Sequence, residues 1–225
     1  MEMKVIYYEY YKINKKFYIL KCDVSKFFYS INKKKLYEII KRHVKDKAFL
    51  NLTKDLICHN KSKVGIPIGN YTSQYFANIY LNELDHFVKE KLRIKYYVRY
   101  MDDFVLLLKD KGECKIILEQ IKEFLDKELG LKLNKKTNYF KCNQGVNFCG
   151  YKIFTTHIIL KKENKKKIKN KIKHWNKLYH KKELDLRETT LKLNSWIGHA
   201  QNADTFFLVN KMIRRCDWLY DGKNI

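Results

Sequence analysis

The stretch RYMDDFVLL, residues Arg99–Leu107, decides the fold of this chain because it sets two adjacent carboxylates, Asp102 and Asp103, between strongly apolar flanks. The residues on both sides of the pair have high strand propensity. We therefore predict two strands joined by a tight turn, with the acidic pair at the tip of the hairpin. Taken alone, such a pair is also typical of an ordinary turn, since aspartate is a common turn former.

A third carboxylate ends another apolar stretch. The segment FYILKCD, Phe17–Asp23, predicts a buried strand that finishes on Asp23. If this strand neighbours the hairpin in one sheet, Asp23, Asp102 and Asp103 come close together. Like charges in such proximity raise one another's pKa, and a divalent cation relieves the repulsion. Oxygen ligands without histidine favour Mg²⁺ or Mn²⁺ over zinc.

The chain is strongly basic, with 48 lysines and arginines against 24 aspartates and glutamates and a formal net charge of +24. A positive field of this size attracts polyanions, chiefly nucleic acid or an anionic membrane surface. No apolar run approaches the roughly 18 to 20 residues that span a bilayer, and the N-terminus lacks a signal-peptide core. We expect a cytoplasmic protein with a polyanionic partner and no membrane partner.

Helical periodicity dominates the rest of the chain. The patterns predict one or two helices after the first strand, an amphipathic helix capped by Ser73, a helix that ends before Gly130, and a lysine-rich helix followed by two more. The lysine-rich segment, residues 161–182, holds eleven lysines and one glutamate yet keeps an apolar stripe. The order predicts an α+β region up to about Phe154, followed by an all-helical basic region.

Five short motifs, taken in order, resemble those of reverse transcriptases. YMDD between apolar strands resembles the Y-x-D-D motif of that family, and CDVSKFFYSI resembles the upstream motif in which an aromatic residue follows an aspartate by five positions. GIPIGNYTSQ resembles the motif between these two, LNKKT the lysine-containing motif that follows, and FCGY the primer-grip hairpin. The resemblance covers roughly residues 17–154.

The middle motif is similar to that of one subgroup. Most reverse transcriptases carry a form like Q-G-x-x-x-S-P, whereas IGNYTSQ has Ile68 at the glutamine position and Gln74 at the proline position. This form resembles the reverse transcriptases of diversity-generating retroelements. It implies an error-prone RNA-directed DNA polymerase that copies template RNA into cDNA, with mutagenesis at adenines.

The resemblance assigns roles to the acidic residues. Asp23, Asp102 and Asp103 are the implied catalytic carboxylates, with Asp103 supporting the other two. Together with the backbone carbonyl of Val24, they would hold two Mg²⁺ ions, or Mn²⁺ in their place.

The resemblance also implies a nucleotide- and template-binding set. Phe28 would be a steric gate, because its ring would occupy the place of a ribose 2′-OH. An apolar Ile68 in place of glutamine removes hydrogen-bonding capacity beside the base, which loosens base discrimination. The remaining members of the set are Gly69, Asn70, Gln74 and Lys136, with Lys135 as the alternative to Lys136.

In fold, the resemblance implies a polymerase palm, an antiparallel sheet with packed helices, followed by an all-helical thumb in a right-hand architecture. We assign residues 1–154 to the palm with residual fingers and 155–225 to the thumb. About 22 residues precede Asp23, so most of the fingers are expected to be absent from this chain.

The implied partners are template RNA, a primer or cDNA strand, deoxynucleoside triphosphates and a small basic accessory protein. Reverse transcriptases of the retron, group II intron or phage-defence type remain open alternatives within the same chemistry. A non-catalytic RNA-binding remnant is the alternative from a different class.

Overall fold

The computed structural model describes residues 2–58 and 62–220, which form two compact units. The first unit runs from Glu2 to Cys142, and the second takes in the described residues from Asn143 onward. The expected boundary lay near residue 154, whereas the compact units divide near residue 142. No helix within the described ranges is both long and apolar enough to cross a bilayer.

The first unit combines helices with one antiparallel sheet, as the sequence predicts. Its helices are α1 (Glu2–Ile13), α2 (Phe27–Ser30), α3 (Lys33–His43), α4 (Lys47–Cys58), α5 (Tyr71–His86) and α6 (Lys111–Phe124). Its strands are β1 (Tyr18–Asp23), β2 (Tyr97–Tyr100), β3 (Asp103–Leu108) and β4 (Asn138–Lys141), in the order β2-β3-β1-β4. Single π-helical turns extend α5 through Phe87–Lys91 and α6 through Leu125–Leu129.

Apolar residues of the sheet and of the helices form one core in this unit. Leu20 of β1 and Leu106 of β3 are fully buried, together with Tyr80 and Leu84 of α5 and Ile121 of α6. Burial of such side chains is the main favourable contribution to folding. The core thus fixes β1 beside β3, which brings the predicted acidic strand ends to one edge of the sheet.

Two helix starts differ from the sequence prediction. α5 begins at Tyr71 with Asn70 at its N-cap position, while Ser73, the predicted cap, is buried in the first turn. α1 was not predicted, because its many tyrosines give no clean apolar stripe. In the structure α1 packs against the start of the chain segment that leads into β1, because the rings of Tyr7 and Tyr10 lie edge-on against Phe17, with centroids 5.4 and 4.9 Å away.

The second unit is a small sheet followed by helices. The antiparallel strands are β5 (Val146–Phe148), β6 (Tyr151–Ile153) and β7 (Ile158–Leu160), and the helices are α7 (Lys162–His180), α8 (Leu186–Ala200) and α9 (Phe206–Ile213). Trp175 and Trp218 meet edge-on in its core, 5.8 Å apart. β7 was not predicted; it adds a strand at the start of the region expected to be all-helical.

Candidate active site

The register of the sheet sets the acidic residues side by side. Asp23, the last residue of β1, is the direct partner of Asp103, the first residue of β3. The two-residue turn before β3 is joined to the end of β1 as well, because the amide of Val24 donates to the carbonyl of Asp102 at 3.2 Å. The predicted carboxylates therefore lie at one edge of the sheet.

The pKa of Asp23 reflects how close the three carboxylates are to one another. The pKa of Asp23 is raised above its ordinary value, first by burial and then by the negative charges of Asp102 and Asp103. Lys21 and a hydrogen bond from Asn134 oppose this shift without cancelling it. Lys21 also forms an ion pair with Asp103, with Nζ and Oδ2 2.9 Å apart. A cation placed among the carboxylates would relieve the remaining repulsion.

The LNKKT segment, Leu133–Thr137, holds Asp23 in place. The backbone amide of Asn134 donates to the carbonyl of Asp23 at 2.7 Å, and its side-chain amide donates to Asp23 Oδ2 at 3.0 Å. The amide of Asp23 in turn donates to Thr137 Oγ1 at 3.4 Å. Lys136 is exposed, and its amide donates to Asn134 Oδ1 at 3.1 Å.

Three residues of this site were missed by the sequence reasoning. Asn134 and Thr137 lie in a motif that was singled out only for its lysine, and Lys21 was read as part of an apolar strand. The alternation of β1 gave a usable signal for Lys21, because side chains two positions apart share a face of a strand and Asp23 follows Lys21 by two.

The segment around GIPIGN is docked against α2. The amide of Ile66 donates to the carbonyl of Phe28 at 2.9 Å, and the amide of Gly65 donates to the carbonyl of Ile31 at 2.8 Å. A Cβ on Gly65, whose φ is +86°, would lie 3.1 Å from the carbonyl oxygen of Tyr29, so this close approach requires glycine. The structure thus brings the motif beside Phe28.

The nucleotide-binding candidates differ in exposure. Phe28 is half-buried against the core and packs on Phe27 with ring centroids 5.6 Å apart. The four candidates from the middle motif are exposed, namely Ile68, Gly69, Asn70 and Gln74, whereas Ile66 and Ser73 of the same motif are buried. Gly69 adopts φ +99°, a left-handed conformation that glycine alone enters readily.

The donor set fits a hard divalent ion in part. Within residues 2–58 and 62–220, no three or more His, Cys, Asp or Glu side chains are placed to hold a metal by themselves. Mg²⁺ in phosphate-handling sites is usually bound by one or two carboxylates together with water and substrate phosphates. Asp23 and Asp102 supply oxygen donors of that kind, so the residues present fit such an ion once phosphate groups complete its shell.

The fold has solved counterparts among polymerases. The chain is similar to the telomerase of Candida albicans, solved in complex with a TWJ fragment of telomeric RNA, at a TM-score of 0.56 and 13% identity over 72% of this chain and 33% of that one. The telomerase of Candida tropicalis gives a TM-score of 0.54 at 15% identity, covering 76% and 35%. The antiparallel sheet and its packed helices therefore define a polymerase-type α+β fold.

The sequence narrows this class to one family. Residues 4–153 match the family model described as reverse transcriptase (RNA-dependent DNA polymerase). This chain belongs to the reverse transcriptase family.

Two curated relatives illustrate the range of similar proteins. The retron Ec73 reverse transcriptase of Escherichia coli is 30% identical over 192 residues, which cover 80% of this chain and 58% of that protein. A putative COX1/OXI3 intron 2 protein of Saccharomyces cerevisiae is 24% identical over 62% of this chain and 24% of its own length. The chain thus spans less than two thirds of either relative.

Proposed function

We propose that this chain is an RNA-directed DNA polymerase that copies template RNA into cDNA by two-metal phosphoryl transfer. The observation that carries the proposal is the convergence of Asp23 and Asp102 where β1 meets the β2–β3 turn. Membership of the reverse transcriptase family supports the same chemistry.

The carboxylates have distinct tasks in this proposal. Asp23 and Asp102, with the backbone carbonyl of Val24, bind two Mg²⁺ ions or Mn²⁺. Such ions, when bound, lower the pKa of an attacking hydroxyl and stabilise the leaving oxygen at phosphorus. Asp103, already paired with Lys21, keeps the edge of the sheet in register, and the hydrogen bond from Asn134 holds the Asp23 carboxylate in place.

The surrounding residues bind the nucleotide and the template. Phe28 excludes a ribose 2′-OH, while Ile68, Gly69, Asn70 and Gln74 border the new base pair. Lys136 contacts phosphate groups. The exposed position of the middle motif and its hydrogen bonds to α2 support this arrangement.

We assign residues 1–154 to the palm with residual fingers and residues 155–225 to the thumb, which holds the primer–template duplex. Lysines crowd the solvent side of α7, whereas Ile168, Ile172 and Trp175 are buried. Such a face makes phosphate contacts that are independent of sequence and strongly dependent on salt. A small basic accessory protein and a cytoplasmic location in a bacterial or phage-infected cell complete the proposal.

The finer assignment lies between the diversity-generating type and the retron, group II intron and phage-defence types, and specific observations favour two of these. The IGNYTSQ motif favours the error-prone type found in diversity-generating retroelements, whereas 30% identity to a retron enzyme favours the retron type. Sequencing of cDNA made by the chain separates them. Errors concentrated at template adenines support the first type, and a low error rate at all four bases supports the second. A template and variable repeat pair beside the gene is a second discriminating observation.

Primer extension tests the activity itself. The chain is incubated with a primed RNA, deoxynucleoside triphosphates and Mg²⁺, and wild type is compared with Asp102→Ala. We expect extension that stops on chelation of the metal and is lost in Asp102→Ala, while Glu9→Gln, a substitution of an exposed carboxylate on α1, extends normally. Tight RNA binding without any extension that depends on Asp102 would support the non-catalytic alternative instead.

The Phe28 gate gives a separate prediction. Phe28→Val removes the ring and opens space for a 2′-OH, so use of ribonucleotides relative to deoxynucleotides is expected to rise by roughly tenfold or more, since a single methylene in a pocket already changes discrimination by roughly 10- to 200-fold. Single-nucleotide incorporation kinetics with matched dNTP and NTP pairs measure the ratio. Tyr29→Val removes the neighbouring exposed ring of α2 and should leave the ratio unchanged. An unaltered ratio in Phe28→Val contradicts the gate.

A further inference from the structure

The turn that carries Asp102 has an unfavourable backbone. Only Met101 and Asp102 separate β2 from β3, and Met101 adopts φ +56°, in the left-handed region. Methionine has a Cβ that disfavours this conformation, unlike the glycine or asparagine common in such turns. Other contacts must therefore stabilise the turn.

Arg99 supplies one of these contacts from the strand before the turn. Its Nη1 donates to the carbonyl of Met101 at 3.1 Å and to Asn78 Oδ1 at 3.2 Å. The Arg99 side chain is only 11% exposed. A single guanidinium thus contacts the strained residue itself and the exposed side of α5.

Asp85 fixes the orientation of that guanidinium. Arg99 Nε donates to Asp85 Oδ1 at 2.8 Å, and Nη2 donates to Oδ2, so the pair is bidentate. The hydroxyl of Tyr97, a buried residue of β2, also donates to Asp85 Oδ1 at 2.7 Å. Buried ion pairs gain little net stability, but a bidentate pair sets geometry firmly.

The turn is held from its other side as well. The amide of Val24, immediately after Asp23, donates to the carbonyl of Asp102. The two carbonyls of the turn are therefore held by different elements, Met101 by Arg99 and Asp102 by Val24. Loss of the Arg99 contact would leave the strained residue without this support.

We propose that Arg99 and Asp85 are positioning residues that hold the Met101–Asp102 turn in its strained conformation and thereby set the Asp102 carboxylate beside Asp23. The catalytic consequence rests on the proposed function, whereas the structural consequence does not. The guanidinium fork is essential, because lysine keeps the charge but cannot make a bidentate pair and a third bond to Met101.

A second arginine that pairs with a carboxylate of α5 offers a matched control. Arg42 Nη2 pairs with Glu83 Oε1 of α5 at 2.9 Å through a single contact, and Arg42 is 58% exposed. This pair also ties α5 to a neighbouring helix. Arg42 lies on α3, so Arg42→Lys makes the same chemical change to an arginine that pairs with α5 without altering a contact to the turn.

Methionine methyl NMR reads the turn directly. The sequence has four methionines, so protein labelled with ¹³C-methyl methionine gives a simple spectrum in which Met101→Leu identifies the Met101 signal. We expect Arg99→Lys and Asp85→Asn to shift or broaden the Met101 signal while the Met212 signal stays in place. Arg42→Lys should leave both signals unchanged, and Tyr97→Phe, which keeps the ion pair, should have a smaller effect.

A Met101 signal that is unchanged in folded Arg99→Lys would overturn the proposal. Should Asp85→Asn fail to fold, Arg99→Lys alone decides. In primer extension, Arg99→Lys is expected to lower kcat by roughly tenfold or more with little change in KM for the nucleotide, as for a misplaced catalytic group. Wild-type protein without extension would refute the proposed function, and the NMR result would still decide the role of Arg99.

Discussion

Asp23→Asn is expected to lower primer extension by roughly 10²- to 10³-fold, the scale of losing a group that stabilises charge in the transition state. Asparagine keeps an oxygen that can accept the hydrogen bond of Asn134, so the fold around the site is preserved. It removes the negative charge that would bind the metal ion. Single-turnover extension at saturating nucleotide measures the loss.

The same substitution is expected to stabilise the metal-free protein at neutral pH. Because folding raises the pKa of Asp23, the folded state binds this proton more readily than the unfolded chain does. Stability is therefore lost as pH rises from the ordinary aspartate pKa through the raised value. Asn134 and Lys21 offset part of this loss of stability. Asp23→Asn removes the remaining loss, because asparagine carries no charge at any pH in this range. The variant should melt above wild type near pH 7, with the gain disappearing near about pH 3, where aspartate is protonated.

Mg²⁺ should reverse this ranking. An ion that binds only the folded state raises the melting temperature of wild type, and the gain should shrink in Asp23→Asn. Glu9→Gln serves as the control, since its exposed carboxylate lies on α1 and is not among the groups that shift the pKa of Asp23. Equal stabilisation of wild type and Asp23→Asn by Mg²⁺, or unchanged extension in the variant, would contradict the assignment of Asp23 as a ligand.

Leu106→Ala is expected to reduce the free energy of unfolding by about 3 to 5 kcal/mol, the cost of a cavity at a fully buried leucine. Leu106 lies in the middle of β3, directly opposite Leu20 on one side and Tyr97 on the other. Urea unfolding followed by far-UV circular dichroism measures the change.

An exposed residue supplies the comparison for this prediction. Ile116→Ala removes a similar side chain from the solvent face of α6, and its effect should stay within about 0.5 kcal/mol. A loss below about 1 kcal/mol in Leu106→Ala would mean that the surrounding side chains collapse into the space, contrary to a tightly packed β1–β3 core.

The hairpin and the α+β class could be predicted because their signals are local. Strand-forming residues flank Asp102 and Asp103, and the observed strands meet across a two-residue turn as expected. Gly130, predicted to end the helix before it, does so with φ +61°. Strand propensity and turn preferences depend on a few neighbouring residues, so both can be predicted from one sequence.

The partners of the acidic residues could not be predicted in the same way. The contacts of Asn134 with Asp23 and of Asp85 with Arg99 join separate elements, and their residue types are ordinary helix caps, turn formers or surface groups elsewhere. The start of α5 differs for a related reason, because Asn70 takes the N-cap position without a side-chain cap hydrogen bond and Ser73 is buried in the first turn, and burial depends on packing between elements.

The pairing of β1 with β3 also governs how the first unit is made. Lys21 and Asp103 are 82 positions apart, and the intervening chain includes three longer helices. Contacts between residues so far apart in sequence form slowly, because the chain loses conformational entropy in closing the loop before the contacts can stabilise it. During synthesis, β1 cannot complete its pairing with β3 until Leu108 has left the ribosome. Its buried apolar residues are thus exposed in the nascent chain, where helper proteins or slower synthesis would raise the yield of folded protein.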